Sequence, residues 1–575
     1  MKLRVVRRRC EHALELGTGL HPVLRRVYAG RGVRSQQELS SALDRLLPVG
    51  TLEGVTAAAE LLLQHRNGRV LIVGDFDADG ATSTALMMRA LTAWGFASVD
   101  FLVPNRFEFG YGLTPEIVAL AAQRHPTLIV TVDNGISSAA GVADARRRGI
   151  EVLITDHHLP GAELPQANVI VNPNVGVSRF GSRALAGVGV AFYVIVAVKR
   201  ALDAAALTPP GSPGPAEFLD LVALGTVADV VPLDANNRVL VAQGLRRIQA
   251  GRCAAGIRAL LEVAQRPREG LTATDLAFSV APRLNAAGRL DDMSIGIQCL
   301  LTNDLVTATA LAARLDQLNE ERRAIEARMQ AEALAAVRQL RDPAPLAVQR
   351  SGVVLYDESW HQGVVGLVAS RVKDRVRRPV IAFARVGENL LRGSGRSVPG
   401  VHIRDVLDTV AALHPDLISK FGGHAMAAGL SISLEHLDRF ARAFDEEVAH
   451  WLEGNAGVHD TIETDGELAV EEIALETAHA LRTGGPWGQA FPEPSFDGIF
   501  AIRSARLVGE RHLKMWVEVP ASGRSFDAIA FNYSEALASA ELPSGRAWLV
   551  YRLDVNEFQG ERRLQLLIDH VLPLP

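Results

Sequence analysis

Four short β-branched runs, each closing on polar or acidic residues, constrain this chain more than any other feature. RVLIVGD (Arg69–Asp75) precedes a helix-like stretch, Thr82–Gly95, and TLIVTVDNG (Thr127–Gly135) precedes a helix through Ala143–Arg148. EVLITDHH (Glu151–His158) and NVIVNPN (Asn168–Asn174) complete the set. Strands buried on both faces of a parallel sheet read as unbroken apolar runs, and their alternation with helices predicts a doubly wound α/β domain. The polar residues gather at the carboxyl ends of the strands, where open α/β sheets bind ligands.

The rest of the 575 residues is too long to share one core. Residues 1–45 read as an N-terminal helical segment, and 46–303 hold the α/β domain. Asp304–Arg338 is rich in Ala, Leu, Glu and Arg and lacks Gly and Pro, so it predicts one long connector helix within 304–345. A second α/β domain is expected over 346–455. Residues 456–575 are strand-rich with scattered aromatics, among them Phe496, Phe500, Trp516, Phe526, Phe531, Trp548, Tyr551 and Phe558; a small β-barrel of OB type is expected there.

The segment Val73–Gly80, VGDFDADG, places Asp75, Asp77 and Asp79 two residues apart, on one side wherever the backbone is extended. Carboxylates so crowded repel one another, and a divalent cation removes that cost. An EF-hand also opens D-x-D-x-D-G, but its twelfth position must be a bidentate acid, and here it is Leu86. Asp133 ends the second run, Asp156, His157 and His158 end the third, and Asp229 lies in LGTVADV (Leu224–Val230) on a predicted helix. Taken singly, an Asp-Asn-Gly is a turn and one His is a core residue; together they form an oxygen-plus-imidazole set suited to Mn²⁺ or Mg²⁺, two ions of which can clamp a phosphodiester. There is no P-loop and no G-x-S-x-G elbow.

In this order, GDFDADGATSTA, VDNG, TDHH and GTVADVVP resemble the successive motifs of the DHH phosphoesterase superfamily. The resemblance implies that Asp75, Asp77 and Asp133 ligate one ion, and that Asp79, Asp133, His157 and Asp229 ligate the other. It implies further that His158 faces the substrate phosphate. Arg392–Ser397 (RGSGRS), with FGGH ending at His424 and a following loop read as opening a helix, resembles the accompanying DHHA1 domain. That match implies that Ser394, Arg396, Gly423 and His424 grip nucleic-acid phosphates; a WHQG segment, Trp360–Gly363, also fits it. Further matches, around Arg106 and Tyr111 and around Arg283, Asn285 and Arg289, favour the superfamily's single-strand-specific exonucleases. The activity so implied is two-metal 5′→3′ hydrolysis of single-stranded DNA to mononucleotides in recombination and repair. The implied partners are single-stranded DNA, a single-strand-binding protein and a RecQ-type helicase.

Other readings fit less of the chain. A phosphodiesterase for short oligonucleotides or cyclic dinucleotides, or a pyrophosphatase, has no use for the strand-rich tail. A non-catalytic DNA-binding scaffold is expected to lose ligands, and none is missing here. The formal net charge of −5 requires any phosphate-binding groups to be local. Only five of the 60 basic residues are lysine; arginine suits bidentate phosphate contacts, although arginine-favouring codon usage accounts for the bias equally well. Cys10, Cys253 and Cys299 are scattered without a CxxC pair, so neither structural zinc nor a disulfide framework is expected. A basic start without a signal-peptide apolar run, and an apolar stretch of only 15 residues at Ala184–Val198, point to a cytoplasmic protein with no membrane span.

Overall fold

The computed structural model describes residues 4–10, 16–17, 19–105, 112–161, 163–339, 351–453, 461–509, 511–533, 542–558 and 561–574. The chain forms two compact units, one of residues 1–4 with 317–462 and the other of 5–316 with 463–575.

In the larger unit the predicted parallel sheet is present. β1 (Arg69–Gly74) leads into α1 (Ala78–Ala93) and β2 (Ser98–Leu102); β3 (Leu128–Val132), β4 (Glu151–Thr155) and β5 (Val169–Val171) follow. The order is β2-β1-β3-β4-β5, with every pair parallel. The chain steps from β1 outward to β2 and then returns to the other side of β1. The carboxyl ends of β1 and β3 therefore flank the topological switch point, where α/β sheets open a crevice. Leu71, Val73, Ile129, Val152 and Ile154 are buried beneath it, which fixes the strand ends that carry the acids.

Helices α2 (Gly187–Ala204), α3 (Leu219–Ala228), α4 (Ala235–Gln249) and α5 (Ala281–Leu290) pack around the sheet. The apolar stretch read as a buried helix is α2, buried along most of its length. Among the described residues no single helix is long and apolar enough to cross a membrane. The long helix α6 (Leu305–Gln339) falls within one residue of its expected bounds, and the boundary between the units lies inside it, at Gln317.

In the smaller unit β6 (Val353–Tyr356), β7 (Val380–Arg385), β8 (Leu390–Arg396), β9 (Lys420–Gly423) and β10 (Ala427–Ser433) form a mixed sheet, ordered β9-β10-β8-β7-β6. This corrects one local expectation: FGGH does not open a helix but forms a hairpin with β10, Gly423 pairing with Ala428, while RGSGR is the end of β8. Alternate small residues let these strands pass close to their neighbours: a Cβ on Gly393 would lie 2.4 Å from the Phe383 ring.

The tail, again in the larger unit, is the expected barrel: β11 (Phe496–Val508), β12 (His512–Glu518), β13 (Ser525–Ala530), β14 (Gly545–Phe558) and β15 (Glu561–Leu572) close in the order β11-β12-β13-β15-β14. The N-terminal segment is not purely helical. Its described residues carry a strand, Arg4–Arg7, before the α-helix Pro22–Ala29. Arginines tie it to the tail: Arg7 reaches Asp497 at 2.7 Å, and buried Arg31 reaches buried Asp465 at 2.7 Å.

α5 lies on the turn after β1 so closely that a Cβ on Gly288 would sit 1.7 Å from the Phe76 carbonyl oxygen. Backbone cannot yield as a flexible side chain can. Gly288→Ala should cost about 1–3 kcal/mol in chemical denaturation; an unchanged midpoint would contradict this packing.

Candidate metal centre

The three aspartates of the first motif occupy three different backbone settings, not one extended run. Asp75 follows β1 and takes its neighbour's N–H, Phe76, on Oδ1 at 2.8 Å. Asp77 caps α1, accepting the Gly80 N–H at 3.0 Å, and Asp79 lies in the first turn of that helix. Asp79 is buried and accepts the N–H groups of Gly187 and Val188, at 2.6 and 3.0 Å, at the start of α2. Asp133 follows β3 in a left-handed conformation, φ 61°, which aspartate tolerates better than most residues. Gly187 is required opposite it: a Cβ there would lie 2.6 Å from the Asp133 carboxylate.

Three clusters result, each with ligand atoms within 4.8 Å of one another: Asp75, Asp77 and Asp133; Asp79, His157 and Asp229; and Asp133, His157 and His158. All seven residues expected at the metal site therefore meet at the switch point. His157 Nε2 lies 3.1 Å from Asp133 Oδ1 and 3.4 Å from Asp229 Oδ2. His157 Nε2 and Asp229 Oδ2 are buried and make no hydrogen bond, the condition of atoms whose partner is a cation. Hard carboxylate oxygens with one imidazole nitrogen fit Mn²⁺ or Mg²⁺.

The electrostatics show what that partner must offset. Burial, and then the Asp77 charge, push Asp79 up to about 7 despite the two N–H groups that oppose it. Asp133 and Asp229 are held well above the usual carboxylate range by burial and by the charge of Asp79. The adjacent histidines diverge. Burial and the charge of His158 push His157 down to about 4, leaving it neutral with a lone pair to donate. Burial also opposes charge on His158, but the bond from its Nδ1 to Asp156, 2.7 Å, prevails and raises it to about 8.

Several residues to which the sequence assigned no separate role hold this arrangement. Asp156 is buried; it accepts the backbone N–H groups of His157 and Ile136 as well as the His158 ring. Asn172 and Asn174, read only as the end of a strand, donate to the carbonyls of His158 and His157 at 2.9 and 2.6 Å. Asn134 joins the carbonyls of Val73 and Val132 across the switch point. An Asn-Pro-Asn directly after a strand was the available signal for the second pair.

The residues expected to touch DNA divide. Arg106 and Tyr111 lie outside the described residues. Asn285 accepts the Ala78 N–H at 2.8 Å, so it supports the start of α1 beside the carboxylates. Arg283 is paired with Asp316 at 2.8 Å and bonds the Ser279 carbonyl, and Arg289 is half-buried on α5. In the smaller unit Ser394 accepts from Arg396 at 2.9 Å, and Arg396 stands opposite Ala427 in the register. Gly423 and exposed His424 form the adjoining hairpin end, so these four share one sheet edge. Burial holds the Arg396 guanidinium below its ordinary range.

Comparison with known proteins accords with this geometry. Residues 69–226 match the DHH family N-terminal domain, 349–450 the DHHA1 domain and 464–570 the RecJ OB domain. The chain is 55% identical over 577 residues to the single-stranded-DNA-specific exonuclease RecJ of Dickeya dadantii, covering 99% of each. The chain belongs to the RecJ family. Crystal structures of RecJ from Thermus thermophilus in complex with Mn²⁺ and with Mg²⁺ match 100% of the chain, with TM-scores of 0.81 and 0.77 at 29% and 27% identity, covering 80% and 79% of those chains.

The shifts fix how the metal-free protein responds to pH. Asp79, raised from 3.8 to about 7, contributes stability present below its unfolded value and lost as pH rises through 7. His158, raised from 6.5 to about 8, contributes stability complete below 6.5 and lost as pH rises through 8. His157, lowered to about 4, acts in the opposite sense but only below 6.5. Between about pH 6.5 and about pH 7 the first two act together, and His158 alone carries the loss on to about pH 8, so chelated protein should melt at the higher temperature at the lower pH. Asp79→Asn should flatten the part of that slope below about pH 7. A melting temperature that rises with pH across this window would exclude the assignment.

Proposed function

We infer that this protein is a two-metal-dependent exonuclease that hydrolyses single-stranded DNA from the 5′ end to mononucleotides, in DNA recombination and repair. The observation that carries the reading is the carboxylate–histidine centre at the switch point, in a chain 55% identical along its length to a single-stranded-DNA-specific exonuclease RecJ. Asp75, Asp77 and Asp133 would hold one ion, and Asp79, Asp133, His157 and Asp229 the other. When bound, the pair of divalent cations supplies Lewis acidity to the phosphodiester. His158, protonated at neutral pH and held by Asp156, presents positive charge to a phosphate oxygen. Neutral His157 remains a ligand down to mildly acid pH.

The division of labour follows the sequence: residues 46–303 carry the chemistry, 346–455 contribute a 5′-phosphate pocket from Ser394, Arg396, Gly423 and His424, and 456–575 bind the strand. Arg106, Tyr111, Arg283, Asn285 and Arg289 line its path. A single-strand-binding protein and a RecQ-type helicase are the partners, and the cytoplasm is the compartment.

Long single-stranded DNA labelled at one end or the other tests this. With Mn²⁺, a 5′ label should appear at once as mononucleotide, while 3′-labelled DNA shortens progressively. Asp133→Ala or excess chelator should abolish both signals. Release beginning at the 3′ end, or turnover in chelator, would defeat the reading.

The tail yields a second test. Phe496, Phe500, Phe526 and Tyr551 face the barrel core, so of the aromatics expected to stack on bases Trp516 and Phe531 stand clear, 48% and 58% exposed. Arg506 stands opposite Lys514 across β11 and β12 beside Trp516; Lys514 pairs with Asp527 at 2.6 Å, which leaves Arg506 as the charge beside the exposed ring. Trp516→Ala should weaken binding of long single strands by about 1–3 kcal/mol and that of the shortest oligonucleotides much less. Equal loss on both would remove the tail from the binding site.

A further inference from the structure

We propose that the loop Trp487–Phe491 of the C-terminal region is a positioning element for the Asp229 carboxylate, and that Val230 is the strained joint it holds. The proposal rests on the reading of Asp229 as a metal ligand.

Asp229 caps the C-terminus of α3, its N–H donating to the Gly225 carbonyl at 3.0 Å. The next residue, Val230, has φ 61°. A β-branched side chain is a poor occupant of left-handed backbone, and such strain persists only where the surroundings impose it. The Val230 side chain is 62% exposed, so its own packing does not impose the conformation. Its C-terminal flank is pinned at every step. The Pro232 carbonyl accepts from Asn237 at 2.9 Å, and the Leu233 carbonyl accepts from Arg238 at 3.0 Å. The Leu233 N–H donates to the Gln489 carbonyl, 2.8 Å away in the C-terminal loop.

That loop is itself held from both sides. Leu233 is buried against Gly488, where a Cβ would lie 2.7 Å from Leu233 Cδ1. Arg238 stands 4.3 Å over the Phe491 ring, Phe491 stacks on Trp487 at 5.2 Å, and Tyr28 of the N-terminal helix joins the stack at 5.8 Å from Trp487. Only three residues, Val230, Val231 and Pro232, separate Asp229 from Leu233. A displacement at the loop thus passes to the carboxylate through one short, strained segment. Without the anchor, Val230 relaxes to negative φ and the Asp229 side chain turns away from His157.

The test is a cycle on Mn²⁺ affinity of the full-length protein, read from the electron paramagnetic resonance signal of free Mn²⁺. Leu233→Ala should weaken Mn²⁺ binding by about 10–100-fold, the loss typical when support of a ligand is removed. Binding of single-stranded DNA by the chelated protein should not change. Gly488→Val should act in the same direction by pushing on Leu233, and it keeps the test available should Leu233→Ala fold poorly. Val230→Asn alone should leave Mn²⁺ affinity intact and raise the melting temperature of the metal-free protein, because asparagine accepts left-handed backbone. Placed on Leu233→Ala, it should restore most of the lost affinity. Absence of rescue, or anchor variants with wild-type Mn²⁺ affinity, would overturn the proposal. Asp229→Ala separates the two levels: if it binds Mn²⁺ as tightly as wild type, the ligand assignment fails and the inference with it. If it loses Mn²⁺ while the anchor variants keep it, only the positioning role fails.

Discussion

Mutual repulsion among buried carboxylates at one sheet edge is the constraint around which the larger unit is built. Asp75, Asp79 and Asp133 are buried within reach of Asp77 and Asp229, and the charges of the other four all act on Asp133. Charges so placed would otherwise neutralise by protonation or drive the loops apart. The fold prevents separation by fastening each acid to rigid backbone: Asp77 to the start of α1, Asp79 to the start of α2, and Asp133 to a left-handed turn that only a glycine at position 187 can face. The energy of holding them together is set before any ligand arrives, and a divalent cation is the group that recovers it.

The adjacent histidines show how far local contacts can separate two chemically identical groups. One carboxylate, Asp156, accepts the ring N–H of His158 and, from the backbone, the N–H of His157. The first contact stabilises an imidazolium; the second leaves the His157 ring without a counter-charge of its own. The rings are centred 4.5 Å apart, so charge on His158 also discourages charge on His157. A neutral imidazole and a cationic one arise from neighbouring positions in the chain, and the substitution that would disturb both is at Asp156.

Legibility in the sequence followed range. β1, β3 and β4 were visible because a central parallel strand is buried on both faces and reads as an unbroken apolar run. β2 was not named: as an edge strand with Asp100 in its middle and only Leu102 buried, it carries no such run. All seven metal-site positions could be picked out because motif order marks them, yet the contacts that orient them could not. Asp79 meets Gly187 at a separation of 108 residues, and no local periodicity encodes that pairing. The FGGH segment was misjudged for a related reason. Glycines and a histidine suit a helix start as well as a hairpin, and the choice was made by pairing with β10, which pairs in turn with β8. Which barrel aromatics stay exposed was not legible either, because alternation along a strand sends Phe496, Phe500, Phe526 and Tyr551 into the core.

Strain and charge converge on the same few atoms. The left-handed residues Asp133 and Val230 are, respectively, the acid shared by two of the clusters and the neighbour of Asp229. A relaxed backbone at either point would let the acids spread and lower the energy of the metal-free protein, at the expense of the distances a cation pair needs. Maintaining strain requires anchors that do not themselves yield. For Asp133 the anchor is α2, buried along its length. For the segment after Asp229 it is an aromatic stack assembled from the N-terminal helix and the C-terminal loop, regions more than 450 residues apart in the chain. The loop that precedes the barrel is therefore joined to the segment that follows Asp229, and its attachment bears on the geometry of the acid cluster.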